Sequence, residues 1–245
     1  MKTPATIATV TASLALVLFS GAACAQSFSE GFNGAALPSD WVAKNLSTNN
    51  ASGTPWGVTD AIADGSTVIV APYEGAGFAV VDFSSIGTGS GTISNWLISP
   101  EITGLRNGDT VGFYTTTVPG SSFADRLELR LSTAGASTDT GTTPQSVGAF
   151  TVALTSVNPT LAVGGYPENW TLVSVTLSGL SGPVDGRVAL RYFVDSGGPA
   201  GTNSNIIGVD AFSYAAVAQV PEPAAWALMA GGLAAMAALR RRRRG

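Results

Sequence analysis

Across residues 27–218 apolar positions recur in short stretches, each cut off by a cluster of Gly, Pro, Asn or Ser, and none of them carries a long helical period. The stretches 67–71, 78–83, 95–98, 110–117, 126–132, 172–177, 187–194 and 205–214 read as strands. Alternation is clearest where Leu127, Leu129 and Leu131 interleave with Arg126, Glu128 and Arg130, which predicts one packed face and one wet face. Many short strands without helices between them predict an all-β chain, a jelly-roll-like antiparallel β-sandwich. The connections 132–146 and 196–205 are rich in Ser, Thr, Gly and Asn. They read as solvated loops, and loops over a rigid sandwich are also where binding sites sit.

The two ends follow a different pattern. Lys2 precedes an apolar run over 10–19, broken by Thr11 and Ser13, and Ala23-Cys24-Ala25 follows with Gln26 after it. This is the layout of a secretory signal peptide over 1–25, with Ala23 and Ala25 as the small residues that signal peptidase requires. A short membrane anchor is the alternative, as is a lipobox, although Gly21 stands where a lipobox wants Leu. At the other end, Pro221-Glu222-Pro223 leads into an apolar stretch from Ala224 to Leu239, then Arg240, Arg241, Arg242, Arg243, Arg244 and Gly245. About sixteen to eighteen apolar residues lie near the short limit for a transmembrane helix, so a membrane-crossing helix with its arginines in the cytoplasm is expected. The domain division is therefore 1–25, 26–218 and 219–245.

Charge changes the picture once it is divided among these parts. Residues 26–218 hold Lys44, Arg106, Arg126, Arg130, Arg187 and Arg191 against fifteen acidic residues, a net charge of −9. Such a body repels nucleic acid and is compatible with divalent cations or neutral glycans. Cys24, inside the signal peptide, is the sole cysteine, and histidine is absent. The mature body has no means to form a disulfide, a zinc–thiolate site, cysteine catalysis or a Ser-His triad. A body of this length buries a real core without such staples.

The tail, with its Val220-Pro221-Glu222-Pro223 motif, Gly/Ala/Leu-rich stretch and terminal arginines, resembles the PEP-CTERM sorting signal of Gram-negative bacteria. That resemblance implies recognition of Pro221, Glu222 and Pro223 by an exosortase, transient anchoring in the inner membrane, and release to the cell surface or extracellular matrix. An ordinary tail anchor is the alternative. The body carries Phe28-Ser29-Glu30-Gly31-Phe32-Asn33, Leu37-Pro38-Ser39-Asp40-Trp41, Asn95-Trp96-Leu97-Ile98-Ser99-Pro100, Asp125-Arg126-Leu127-Glu128-Leu129 and Gly208-Val209-Asp210-Ala211-Phe212, in that order. The ordered set resembles the choice-of-anchor J domain, related to cleaved-adhesin modules and more distantly to jelly-roll carbohydrate-binding domains. It implies a non-catalytic, adhesin-like surface protein, with exopolysaccharide binding as the alternative and glycan hydrolysis as a third reading.

Glu30 and Asp210 are the candidate metal ligands. They lie on the first and last strands, which adjoin in many jelly rolls, and the related modules imply a structural Ca²⁺ near such a place. Calcium takes six to eight oxygen ligands, which two carboxylates and loop carbonyls would supply. The alternative is that both are solvated or hydrogen-bonded edge residues, and the family's paired acidic residues are reduced here to Asp210 followed by Ala211. Among the tryptophans, Trp41 and Trp96 have apolar neighbours and read as core, whereas Trp170, in Tyr166-Pro167-Glu168-Asn169-Trp170, is the candidate for stacking on a sugar. Asp125 and Glu128 are the most suggestive carboxylate pair, but neither stands in a catalytic signature.

Overall fold

The computed structural model describes residues 26–218 and 223–243. The signal-peptide positions, including Ala23 and Ala25, lie outside the described residues, as do Pro221, Glu222 and Arg244. In chain order the strands are β1 (Phe28–Glu30), β2 (Val42–Asn45), β3 (Gly57–Thr59), β4 (Ile62–Asp64), β5 (Thr67–Val70), β6 (Phe78–Asp82) and β7 (Gly91–Ile98). They continue as β8 (Ile102–Leu105), β9 (Thr110–Thr117), β10 (Leu127–Ser132), β11 (Val152–Val157), β12 (Thr171–Thr176), β13 (Val184–Gly197) and β14 (Ile206–Ala215), and helix α1 (Pro223–Arg242) follows. A first sheet has the order β12-β9-β14-β6-β3, with β1 also paired to β14. A second has the order β11-β10-β13-β7-β2, with β8 also paired to β13. The pairings within both sheets are antiparallel, as the all-β reading requires. Strands β4 and β5 form a separate hairpin whose turn opens on Gly65, at φ 59°, a conformation that glycine adopts without a side-chain penalty.

The two sheets close on one core. Ala79, Val81, Val111, Phe113, Ile207 and Val209 of the first meet Ile93, Leu97, Leu127, Leu129, Leu190 and Tyr192 of the second. Successive strand residues point to opposite faces, so their intervening partners point away from this core. Trp41 and Trp96 are buried, as their apolar neighbours predict, but in different places. Trp41 packs edge-on against Phe32 and Phe212, each with ring centroids 5.0 Å away. Trp96 faces outward from β7 into a small separate cluster with Ile98, Phe150 and Ala189.

That cluster corrects one expectation. The polar face of β10 is not simply wet, because residues 133–151 fold back over the outer side of the second sheet. Every basic side chain on its strands donates to a carbonyl of that segment. Lys44 Nζ reaches Thr138 O at 2.5 Å, Arg130 Nε reaches Phe150 O at 2.9 Å, Arg187 Nε reaches Ala136 O at 3.1 Å and Arg191 Nη2 reaches Pro144 O at 2.5 Å. Arg191 has 2% of its side chain exposed, pairs with Glu128 at 3.1 Å and lies over the Phe193 and Trp96 rings at 3.7 and 4.8 Å. Glu128 is shared, since Arg130 pairs with the same oxygen at 3.1 Å.

The C-terminal stretch is helical, but the expectation of a membrane-crossing helix is not supported. Among the described residues no helix is long and apolar enough to cross a membrane. The physical reason lies in its composition. Ala and Gly supply most of 224–239 and carry little apolar surface, and Arg240, Arg241 and Arg242 occupy the last helical turn. At a rise of about 1.5 Å per residue the apolar part measures about 24 Å, against a hydrocarbon core of about 30 Å.

Candidate functional site

The outer face of the first sheet is covered over β6 by the β4–β5 hairpin and Trp170, where Ile62, Val70 and Phe78 are buried together, and is open toward β12, where Leu172 is exposed; chemistry is assembled between the two. Strand β9 alternates Val111 and Phe113 inward with Tyr114 outward. Tyr114 stands opposite Leu172 of β12 on one side and Asp210 of β14 on the other. Residues directly opposite across a ladder share a face, so Leu172, Tyr114 and Asp210 form a row across the outside of the sheet. The connection after β5 then lays Tyr73 on Tyr114, with ring centroids 3.6 Å apart and planes at 16°. Tyr73 is 42% exposed and Leu172 is 54% exposed.

Asp210 holds this connection in place. Its Oδ2 accepts the backbone N–H groups of Tyr73 at 2.9 Å and Glu74 at 3.1 Å, and its Oδ1 accepts that of Ala211 at 2.6 Å. Burial pushes the Asp210 carboxyl above its ordinary range, and the N–H groups pull it back in part. The Tyr73 hydroxyl is also raised, first by its hydrogen bond to the Tyr114 hydroxyl and further by the charges of Glu74 and Asp210. Two phenol groups and two carboxylates therefore share one small area.

Trp170, the residue the sequence singled out, forms the wall of this area rather than its exposed surface. It is half-buried, meets Phe78 edge-on at 5.3 Å and Tyr73 at 6.4 Å, and donates Nε1–H to Ala71 O at 2.9 Å. Gly208 permits this placement, because a Cβ there would lie 2.9 Å from both Trp170 and Phe78. On the same face a groove of about 400 Å³ opens beside β3, β6 and β4, lined by Thr59, Ile62, Val80, Asp82 and Ile206 among others.

The structure pairs β1 with β14, and Glu30 stands opposite Phe212, two residues from Asp210. Phe212 faces the core whereas Asp210 faces outward beside Tyr114, so register directs the two carboxylates to opposite sides of the sheet. Glu30 Oε1 accepts the Phe32 N–H at 2.6 Å, and three of the roughly four lone-pair directions of Asp210 are occupied by backbone N–H groups. Among the described residues no three His, Cys, Asp or Glu side chains are gathered around a metal-sized space.

Asp125 and Glu128 also part company. Glu128 lies opposite Arg191 on the outer side of the second sheet. Asp125 is fully buried on the core side, accepting from Tyr192 Oη at 2.5 Å, Asn205 N at 2.8 Å and Thr117 Oγ1 at 3.1 Å. Burial raises its carboxyl to about 6. In the tail, Arg240, Arg241, Arg242 and Arg243 are exposed at the end of α1.

Tyr73 and Tyr114 were not singled out from the sequence. The legible signal was Tyr114, an aromatic on the wet side of an alternating strand. Tyr73 gave none, since its partner lies in another element.

Comparison with known proteins addresses the tail and the body separately. Residues 219–244 match the PEP-CTERM protein-sorting motif. No curated protein sequence matches the chain. Among solved structures, the K1 cleaved adhesin domain of Lys-gingipain from Porphyromonas gingivalis W83 is 21% identical with a TM-score of 0.54, over 79% of this chain and 99% of that domain. The K3 cleaved adhesin domain of the same protein is 20% identical with a TM-score of 0.52, over 77% of this chain and 98% of that domain. The CBM22-1 xylan-binding domain of Paenibacillus barcinonensis Xyn10C is 13% identical with a TM-score of 0.44, over 82% of this chain and 100% of that domain. The body thus has the cleaved-adhesin fold. The sorting motif marks an exported, surface-sorted protein and implies processing by exosortase-type machinery.

Proposed function

We propose that the chain is a non-catalytic surface protein of a Gram-negative bacterium, a choice-of-anchor J-type sandwich that serves adhesion or recognition after delivery by its tail. The observation that carries this reading is the sorting motif over 219–244, joined to a body that ends with β14 at Ala215. In this reading signal peptidase removes 1–25, the tail engages the inner membrane during transit, and an exosortase cuts near Pro221-Glu222-Pro223. Because α1 is short and rich in Ala and Gly, its hold on the bilayer is weak, which suits a segment destined for removal. Non-catalytic action is supported by the separation of Asp125 and Glu128 on opposite sides of the second sheet, where they share no cleft.

The test combines intact mass with cell fractionation. Wild-type protein is expected outside the inner membrane with its mass ending near residues 220–223. Replacing Pro221, Glu222 and Pro223 together by Ala is expected to leave arginine-bearing precursor in the inner membrane. Normal export and shortening of that variant would refute the sorting reading.

A further inference from the structure

We infer that Tyr73, backed by Tyr114 and walled by Trp170, forms a preorganised ledge on which an uncharged polysaccharide stacks, with Asp210 as the residue that positions it. This rests on reading the body as a recognition domain and gives that domain a site and a ligand class.

The first argument is that an exposed ring sits on a loop tied down at several points. Fixing a loop and a side chain costs conformational entropy, which burial normally offsets. Tyr73 is 42% exposed, yet its connection is tied by Tyr73 N and Glu74 N to Asp210, by Trp170 Nε1 to Ala71 O, and by Ala76 N to Asn33 Oδ1 at 2.5 Å. Such ordering of an exposed aromatic serves a ligand, because the bound state then loses little further freedom.

The second argument is the bulge beneath it. Register in β14 breaks between Asp210 and Ser213, and Ala211 takes φ 47°, a left-handed conformation that is unfavourable for a non-glycine residue. The irregularity lets Val209 and Phe212 both face the core while Asp210 turns outward under the Tyr73 loop. Bulges re-aim side chains in this way next to functional sites.

The third argument is charge. None of the first sheet's strands, β1, β3, β6, β9, β12 or β14, contains Lys or Arg, whereas the ledge carries Glu74 and Asp210. A polyanion finds no partner there. A neutral sugar presents C–H faces to the ring and hydroxyl donors to the phenol oxygens and to exposed Glu74, while Asp210 is fully buried beneath the loop and acts only by holding it.

The experiment is affinity electrophoresis of the processed protein, purified from its host, through gels containing dextran, mannan, a β-glucan or the anionic polymer alginate. Retardation by at least one neutral polymer and none by alginate is expected. Tyr73→Ala should weaken that retardation at least tenfold while the protein stays folded, and Tyr73→Phe should retain it. Asp210→Asn should weaken it several-fold while the amide protons of Tyr73 and Glu74 lose exchange protection ahead of those of the core strands, a local readout that general destabilisation would not produce. Absence of retardation by all three neutral polymers, retardation that survives Tyr73→Ala, or retardation by alginate would overturn the proposal. Processing of the tail is scored independently, so normal sorting without binding removes the ledge alone, and binding without sorting removes only the surface reading.

Discussion

The two sheets of the sandwich share one core but treat their outer faces in opposite ways. The second sheet carries Lys44, Arg130, Arg187 and Arg191 and uses all four to seat residues 133–151 on itself, with Phe150 packed on Trp96 at a centroid distance of 5.6 Å. The first sheet has no basic residue on its strands; the β4–β5 hairpin covers Phe78 by apolar packing, and Tyr73 and Leu172 stay accessible beside an acidic loop anchor. One face is thus closed by charge-assisted hydrogen bonds to backbone carbonyls, which are roughly twice as strong as neutral ones. The other is closed in part by apolar packing of the β4–β5 hairpin and keeps an accessible edge around Tyr73 and Leu172. The difference separates a stabilising surface from a recognising one within a single fold, although both sheets present the same alternating pattern.

The most forceful way to break this comparison is Arg191→Ala. It would leave Glu128 with Arg130 alone, expose the Trp96 and Phe193 faces and unseat the segment at Pro144. Burial already lowers the guanidinium to about 10, so it stays charged at neutral pH. Leaving a buried charge wholly unpaired costs about 3–5 kcal/mol; because Glu128 keeps Arg130, urea unfolding should show a loss toward the lower end of that range, together with new protease cleavage within 133–151. Unchanged cleavage there would mean that the arginines do not hold the cover.

The next test addresses the joint between the sheets, where Asp125 takes bonds from Thr117 of β9 and Tyr192 of β13. Burial raises its folded carboxyl to about 6, above the ordinary 3.8 of an unburied Asp. Between those values the folded state keeps a proton that the unfolded state releases. Stability from this group therefore falls as pH rises from about 4 to about 6 and then levels off, with a total change of roughly 3 kcal/mol. Denaturation midpoints measured across that window should show the fall, and Asp125→Asn should flatten it.

The smallest expected effect sharpens the contrast most. Tyr73→Ala should cost about 1 kcal/mol, the worth of its stack on Tyr114, well below the loss from Arg191→Ala because the ring it removes is 42% exposed. A loss comparable to that of Arg191→Ala would make the ledge a piece of the core and collapse the distinction between the faces.

Much of the fold was legible, and the reason is local. Strand β9 coincides with the stretch 110–117, and β5, β6, β10, β12 and β14 match their predicted stretches to within a residue or so at each end. In these elements a long enough run of β-branched or alternating residues carries the signal without help. Strands such as β1, β3 and β4 have three residues each and show no period of their own. They exist because a neighbouring strand offers hydrogen bonds, which is a tertiary fact. Trp170 illustrates a partial success: the sequence reached the right neighbourhood, and packing on Phe78 and Gly208 then made it the wall while Tyr73 became the accessible ring.

By itself the sequence determined the sorting tail, the all-β class, the acidic body, and the absence of cysteine and histidine chemistry from that body. Each of these is written in contiguous residues or in composition. Only the tertiary structure decided that Arg191 is buried, that Glu30 and Asp210 face opposite sides, and that Tyr73 lies on Tyr114. Those outcomes depend on strand register and on the bulge after Asp210, where a shift of one residue turns a side chain to the other face. Register is set by pairing between distant segments, so no local stretch of the chain contains it.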